Sequence, residues 1–496
     1  MSYTKKAVKG VSILFVFNII AAFLGYLIRI VLARNLTVAE YGLFFAVLTL
    51  INFLVLFKDV GLCQALVKYI PEYLVKKTPA KISSAIIFTF VIQLIITAVM
   101  AVLIIIFAQY LSIHYFKEPL AYKVLLIFIA ILFLTNFREL LRSIFQGFQR
   151  MAIYGLMYFA ENMLLLIMLI IGFTLVKDIF TAIYLHILVY TLIVIGFFFV
   201  FFKIFNIFKY RSPIKKDLRK KLFAFGVPTT LGSIGGMIIL YIDILILTYF
   251  RSLAEVGIYN VVVPTAMMLN FFAISINITI FPLISELWAR KKNKLIRQGV
   301  NLLQKYSLII ILPVALIMFS FSFLILQLFF GPDYISGTLA FQYLLIGIVF
   351  LILGQIHLFV IAAVGKPKIG AKIMFIAAGV NIVTNFIFIP LLGMLGAAIT
   401  SLLSYFLVML LSSFSLSKLI KVKIPWLSWL KTVIAGAFLL ITVFILKETL
   451  NVNPLPEAII CIISGVAIYI GVIFLFKLVD LKEIKSLLPS QISRFF

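Results

Sequence analysis

The chain has 496 residues, 65% of them hydrophobic and 12% charged, with a mean hydropathy of +1.24 and a formal net charge of +27. Soluble proteins run at about 45–50% apolar and about 25% charged, so a string of soluble domains is excluded: it could not hide this much apolar surface. Cys63 and Cys461 stand far apart in apolar runs, which leaves neither a disulfide scaffold nor a zinc cluster. The positive charge marks a membrane protein and not a nucleic-acid binder, because no soluble domain remains to hold nucleic acid.

A spanning helix needs about 20 largely apolar residues, since each backbone polar group must be satisfied within its own segment, and about 14 such runs are present. In chain order they fall near 9–32, 41–66, 82–110, 121–141, 152–175, 181–202, 222–249, 256–283, 300–328, 338–364, 369–389, 394–416, 430–446 and 457–477. The first is too long for the apolar region of a signal peptide and no small-residue cleavage site follows it, so it is expected to be retained. Pro264 and Pro313 fall inside the eighth and ninth runs, where proline removes a hydrogen bond and favours a kink. Such kinks serve equally as hinges or as packing devices.

Lysine and arginine set the orientation. The connections after odd-numbered runs hold little beyond Arg34, Lys117, Lys177, Arg251 and Lys447. The connections after even-numbered runs and both ends of the chain carry roughly 35 of the 43 basic residues, as in KYIPEYLVKKTPAK (68–81) and KIFNIFKYRSPIKKDLRKK (203–221). Both termini are therefore expected in the cytoplasm. The same charges attract anionic lipid. Trp288, Trp426 and Trp429 are expected in the interfacial belt on that side.

An internal repeat organises the chain. AEYGLF (39–44) recurs as AEVGIY (254–259), PEYLVKK (71–77) has a counterpart in SELWARKK (285–292), and QGFQRMAIY (146–154) has a weaker echo in VGKPKIGAK (364–372). The offsets lie between 214 and 218. The expected domains are a first six-helix lobe (1–210), a basic cytoplasmic linker (211–221), a second six-helix lobe (222–418), and two extra helices with a tail (419–496). An even number of helices per lobe brings both lobes in from the same side, a parallel repeat about an axis along the membrane normal. The fold class is thus an all-α polytopic membrane protein of two pseudo-symmetric six-helix bundles plus two C-terminal helices.

RIVLARNLTVAEYGLFFAVLTL (29–50), DVGL (59–62) and YIDILILTYFRSLAEVGIYNVVVP (241–264) resemble the multidrug/oligosaccharidyl-lipid/polysaccharide exporter superfamily. Within it the branch of O-antigen and oligosaccharide flippases is the nearest in character, and FFGPDYISG (329–337) and GMLGAAITSLLSYF (393–406) read the same way. The similarity covers essentially the whole chain. It implies two bundles around a central cavity, alternating access, and a sugar chain on polyprenyl (di)phosphate as substrate. It also implies a cytoplasmic-membrane location, membrane lipids and polysaccharide-assembly proteins as partners, and no cofactor beyond a coupling H⁺ or Na⁺. Lipid II flippases and cation-coupled multidrug antiporters of the same superfamily are the alternatives. In the lipid II flippases the last helix pair makes a groove for the lipid tail; here that role and a plain lipid-facing appendage are both open.

Catalysis has little sequence to stand on. The short outer connections lack the large loop of a membrane glycosyl polymerase or ligase, which disfavours a glycosyltransferase. His114, His186 and His357 are not at metal-ligand spacing with a carboxylate and read as packed, hydrogen-bonded residues. LGSIGGM (231–237) lies within a span with no preceding strand, so it suits close helix packing through Gly232 and Gly236 and not a nucleotide.

The informative residues are ionisable ones inside spans, where a charge costs at least about 2.5–3.5 kcal/mol and normally faces a cavity or a partner. They are Arg29, Lys58, Asp59, Glu161 and Asp243. Arg29, Lys58 and Glu161 are the substrate-cavity candidates, with Arg suited to phosphate through its planar fork and Lys acting as a point charge. Asp243 and Asp59 are the coupling-ion candidates. Arg29 and Asp243 lie 11 and 12 residues before Glu40 and Glu255, nearly equivalent places in the two repeats. The competing readings are a fixed Arg29–Asp243 pair, or an Arg29 that snorkels outward. Lys58 and Asp59 also suit a simple interfacial position.

Overall fold

Two helix starts carry the repeat into three dimensions. Thr37 begins α2 (Val38–Val55), following α1 (Tyr3–Asn35), and closes a capping box: its hydroxyl accepts from the Glu40 amide at 3.3 Å, while the Glu40 carboxylate accepts from the Thr37 amide at 3.0 Å. Such a box satisfies two amides that the helix start leaves without intrahelical partners. Ser252, at the same repeat position, accepts from the Glu255 amide at 3.3 Å just before Val256 of the second copy. Glu40 of AEYGLF is thus a helix cap, and Glu255 of AEVGIY supplies the amide that Ser252 caps at the matching position, as the S/T-x-x-E spacing announces.

The computed structural model describes residues 3–57, 60–210, 212–213, 215–450 and 452–479, with side chains left undescribed at 3–15, 231–233, 274–279 and 282. Among the described residues every regular element is helical. After α2 come α3 (Leu62–Val75), α4 (Pro79–Tyr110), α5 (Leu120–Gly147), α6 (Met151–Leu175), α7 (Ile179–Ile204) and α8 (Lys216–Phe250). They are followed by α9 (Leu253–Met267), α10 (Asn270–Ala289), α11 (Asn293–Ser320), α12 (Ser322–Phe329) and α13 (Thr338–Ala363). The last four are α14 (Pro367–Leu392), α15 (Met394–Ile420), α16 (Trp426–Thr449) and α17 (Pro454–Leu475). Among the described residues thirteen helices are long and apolar enough to span a bilayer, or 14 with the bent α8 as one span.

Three expected spans prove to be broken. The run 41–66 divides into α2 and α3 at a turn that includes Val60 (φ 48°) and Gly61 (φ 79°). The run 256–283 divides into α9 and α10 four residues after Pro264, and the run 300–328 into α11 and α12 at Phe321. Hydropathy averages over a window and is blind to a local backbone turn, so breaks of this kind leave no trace in it.

The chain packs as two compact units, Met1–Val261 and Val262–Phe496. In the first, α1 lies along α6, α5 is surrounded by α2, α3, α4, α6 and α7, and α8 packs on α2 and α3. The repeat places its own division in the 211–221 linker; packing instead gathers α8 and the start of α9 into the first unit. The reason is a close crossing of the two motif copies. A Cβ on Gly42 would strike the Leu253 carbonyl, and a Cβ on Gly257 would strike the Val38 carbonyl. Each glycine therefore occupies in one copy the place its counterpart holds in the other.

In the second unit α13 is buried along most of its length and packs on α10, α11, α14 and α15. The extra pair is docked and not loosely appended. Trp429 Nε1 of α16 donates to the Gln304 carbonyl at 3.3 Å, Tyr469 of α17 donates to the Ile309 carbonyl at 2.9 Å, and Lys447 Nζ donates to the Ser320 carbonyl. Trp429 is buried by this docking, whereas Trp426 is exposed.

Candidate functional site

Two constellations of ionisable side chains lie in the spans of the first unit. Arg29, near the C-terminal end of α1, donates through Nη1 to the Asn260 carbonyl at 3.1 Å and covers the face of Phe45, 4.4 Å from the ring centroid. Neither of these partners carries a charge. Asp243 of α8 is buried and accepts from the Tyr259 hydroxyl at 3.1 Å. Tyr259 and Asn260 are consecutive on α9, so the cation and the carboxylate are tied to one stretch of backbone from opposite sides in sequence. The structure brings Arg29 and Asp243 to the same helix and gives each a neutral partner there.

Glu161 belongs to a second cluster. Its Oε1 accepts from Arg138 Nη1 at 2.6 Å and its Oε2 from Arg142 Nη2 at 2.8 Å. The arginines are four apart on α5, which puts them on one face. Arg142 Nη1 also donates to Glu139 Oε1 at 2.8 Å. Each guanidinium lies over an aromatic ring, Arg138 over Tyr190 of α7 at 4.3 Å and Arg142 over Tyr158 of α6 at 4.5 Å. Side-chain exposure is 12% for Arg138, 7% for Arg142 and 8% for Glu161, against 39% for Glu139. Ionised together, the four groups cancel, which is what permits two guanidinium groups to be buried here.

Neither arginine stands out in the sequence. The fourth apolar run ends near residue 141, so both fall at its edge and look interfacial, whereas α5 continues to Gly147. A signal is nonetheless present: RELLR (138–142) repeats a cation at a helical step just where the apolar window closes. Lys58 and Asp59 lie outside the described residues.

Two of the three histidines are packed as expected, whereas His114 is exposed, its Nδ1 3.3 Å from the Tyr110 carbonyl. His186 Nδ1 donates to the Ala182 carbonyl at 2.7 Å, and its ring packs against Phe44. His357 Nδ1 lies 3.2 and 3.1 Å from the hydroxyls of Ser412 and Ser413. No cluster of three or more His, Cys, Asp or Glu able to hold a metal occurs among the described residues.

The second unit has a neutral interior by comparison. Thr400 donates to Asn385 Oδ1, Asn385 Nδ2 donates to Asn381 Oδ1 at 3.2 Å, and Ser404 donates to the Thr400 carbonyl at 2.8 Å. Beside it lies a cavity of about 470 Å³ with apolar walls from α11, α13, α15 and α16, including Leu312, Leu316, Leu353, Phe406, Trp429 and Val433.

Many apolar spans carrying a few inward, partnered charges define a multi-pass membrane transporter. The fold matches the lipid II flippase MurJ in its inward closed conformation, with a TM-score of 0.75 at 15% identity over 93% of this chain and 98% of that one. At the level of sequence the chain belongs to the polysaccharide biosynthesis protein family, whose model matches residues 7–288. A second family model, MatE, matches residues 228–387. The chain is 32% identical over its whole length, and over the whole of the relative, to an uncharacterized membrane protein of Methanocaldococcus jannaschii. It is 25% identical, over 56% of itself and 59% of the relative, to the "Probable low-salt glycan biosynthesis flippase" of Haloferax volcanii.

Proposed function

We propose that the protein flips polyprenyl-(di)phosphate-linked oligosaccharide from the inner to the outer leaflet of the cytoplasmic membrane, for cell-surface polysaccharide or glycan assembly. Family membership supports the substrate class. The observation that carries the residue assignment is Arg29: a guanidinium inside a span whose carbonyl and ring partners leave its charge available to an anion. Arginine suits a phosphate because its planar fork offers parallel N–H donors. The apolar cavity beside α16 is of a kind that would accept an isoprenoid chain, and supports a lipid-borne substrate.

Alternating exposure of the cavity would carry the head group across while the prenyl tail stays in lipid. Asp243 is the proposed coupling group. A carboxylate that binds H⁺ or Na⁺ in only one arrangement biases the equilibrium between arrangements by that difference in affinity. The termini and the 203–221 segment would face the cytoplasm, in keeping with their lysines and arginines.

Proteoliposomes with a fluorescent lipid-linked oligosaccharide test the proposal. Wild type flips the lipid, Arg29→Ala inserts but does not flip, and Asp243→Asn flips without responding to an imposed H⁺ or Na⁺ gradient. Normal flipping by Arg29→Ala would remove that residue from the site. Flipping of lipid II alone would transfer the protein to the peptidoglycan-precursor class. Labelling of Ser212→Cys by an impermeant reagent in intact cells would reverse the orientation.

A further inference from the structure

We propose that Arg138 and Arg142 form an anion seat for a phosphate ester, and that Glu161 is its resident counter-ion, occupying the seat while the carrier is empty. The two carboxylate oxygens of Glu161 take one N–H from each guanidinium, at 2.6 and 2.8 Å. Two oxygens of a phosphate can make the same pair of contacts, since carboxylate and phosphate accept from guanidinium in the same forked manner.

The arginines are donor-rich for the acceptors they have. A guanidinium carries five N–H groups. Glu161 and Glu139 take a few of them, while the Nε–H of Arg138 and of Arg142 are buried with no hydrogen-bond partner among the described residues. A buried donor without a partner costs about 1–3 kcal/mol, so a merely structural clamp would be a poor use of two arginines. A phosphate or diphosphate brings more acceptor oxygens than one carboxylate. The rings of Tyr158 and Tyr190 hold the two guanidinium planes in position for it.

Tyr158 and the side chain of Glu139 are each 39% exposed, whereas Glu161, which shares Arg142 with Glu139, is buried. An anion arriving past Glu139 meets Arg142 first, then takes over the N–H groups released as Glu161 yields. The incoming phosphate adds negative charge to a site that already holds two carboxylates, so the exchange requires Glu161 to take up a proton or turn away from the guanidinium groups as the phosphate enters. Release reverses it, with Glu161 as the competitor, so the seat does not trap its ligand. That the phosphate is carried on a lipid rests on the flippase reading; the seat itself does not.

Titration calorimetry of the protein in nanodiscs tests this, with farnesyl diphosphate, inorganic pyrophosphate and farnesol as probes. Farnesyl diphosphate should bind and farnesol should not. Glu161→Gln should tighten diphosphate binding about tenfold, Glu139→Gln by about two- to threefold, and Arg142→Gln should weaken it at least about tenfold. Glu161→Asp should stay near wild type. Should Glu161→Gln fold poorly, Glu139→Gln, which alters only the partly exposed acid, decides. Unchanged affinity in the soluble Glu→Gln variants, or wild-type binding by Arg142→Gln, overturns the seat. Equal affinity for pyrophosphate and farnesyl diphosphate would keep the seat and overturn its assignment to a lipid-borne ligand.

Discussion

Among the described residues the interior of the first unit is charged and that of the second is neutral, although both are built from apolar helices. In the first, Arg138, Arg142, Glu139 and Glu161 cancel one another across α5 and α6. In the second, Asn381, Asn385, Thr400 and Ser404 pass hydrogen bonds along α14 and α15. The repeat thus fixes the frame, visible in the matched caps at Thr37 and Ser252, while the two interiors do different work. A neutral ladder can be satisfied locally by a neighbouring helix. A charged cluster loses stability when one of its buried members is removed, because the others are left buried and uncompensated.

The largest expected effect comes from breaking the charged side of that comparison. Arg142→Met alone should cost about 3–5 kcal/mol, read as lost folded yield and a lower melting temperature. Replacing Arg138, Arg142 and Glu161 together by Met should recover most of that loss, since the one charge left, on Glu139, is 39% exposed and not buried. A triple variant no better than the single one would show that these residues hold the fold by shape and not by charge balance.

The shared frame is tested next. Gly257→Ala places a methyl against the Val38 carbonyl and Gly42→Ala places one against that of Leu253. Each should cost about 1–3 kcal/mol by overpacking, measured as a shift in thermal unfolding. Similar losses from the two are expected from their equivalence; a silent Gly42→Ala would break it.

The neutral interior should respond less. Thr400→Val removes the hydroxyl that Asn385 accepts from, and should cost about 0.6–1.7 kcal/mol, the range for hydrogen bonds between membrane helices. A loss as large as that of Arg142→Met would erase the distinction between the two interiors.

Smallest of all is a solvent-facing ion pair at the Lys/Arg-rich ends of the helices. Lys76 at 2.7 Å and Lys221 at 2.9 Å hold the Glu72 carboxyl down to about 2, from an ordinary 4.5. A carboxyl with a depressed folded pKa stabilises above its unfolded pKa, and that stabilisation is lost as pH falls through the folded one. The melting difference between wild type and Glu72→Gln should therefore be present above pH 4.5 and fade as pH falls toward 2. A difference that persists in acid would mean that Glu72 acts through packing instead.

Much of this was legible in the residues. The span count, the helical class and the repeat follow from apolar run length and from AEYGLF and AEVGIY alone. Glu161 and Arg29 stood out because a charge inside an apolar run is costly wherever the run folds. Arg138 and Arg142 did not, because they fall where the apolar window closes and look like interface until α5 is seen to continue. The breaks before α3 and α12 were equally silent, whereas Pro264 marks the run that breaks before α10.

By itself the sequence determined that this is a many-spanned membrane protein of duplicated design, and which of its few charges would have to find partners. Those conclusions depend on one-dimensional quantities: transfer cost, helix period and the spacing of repeated motifs. Only the tertiary structure decided which partners the charges found, that Arg29 and Asp243 meet successive residues of α9, and that Glu161 bridges two arginines instead of standing alone. It also decided that two glycines 215 positions apart bring their helix backbones together. Partner choice depends on which helix faces are turned toward one another, and hydropathy, which is nearly uniform around these helices, carries no record of the facing.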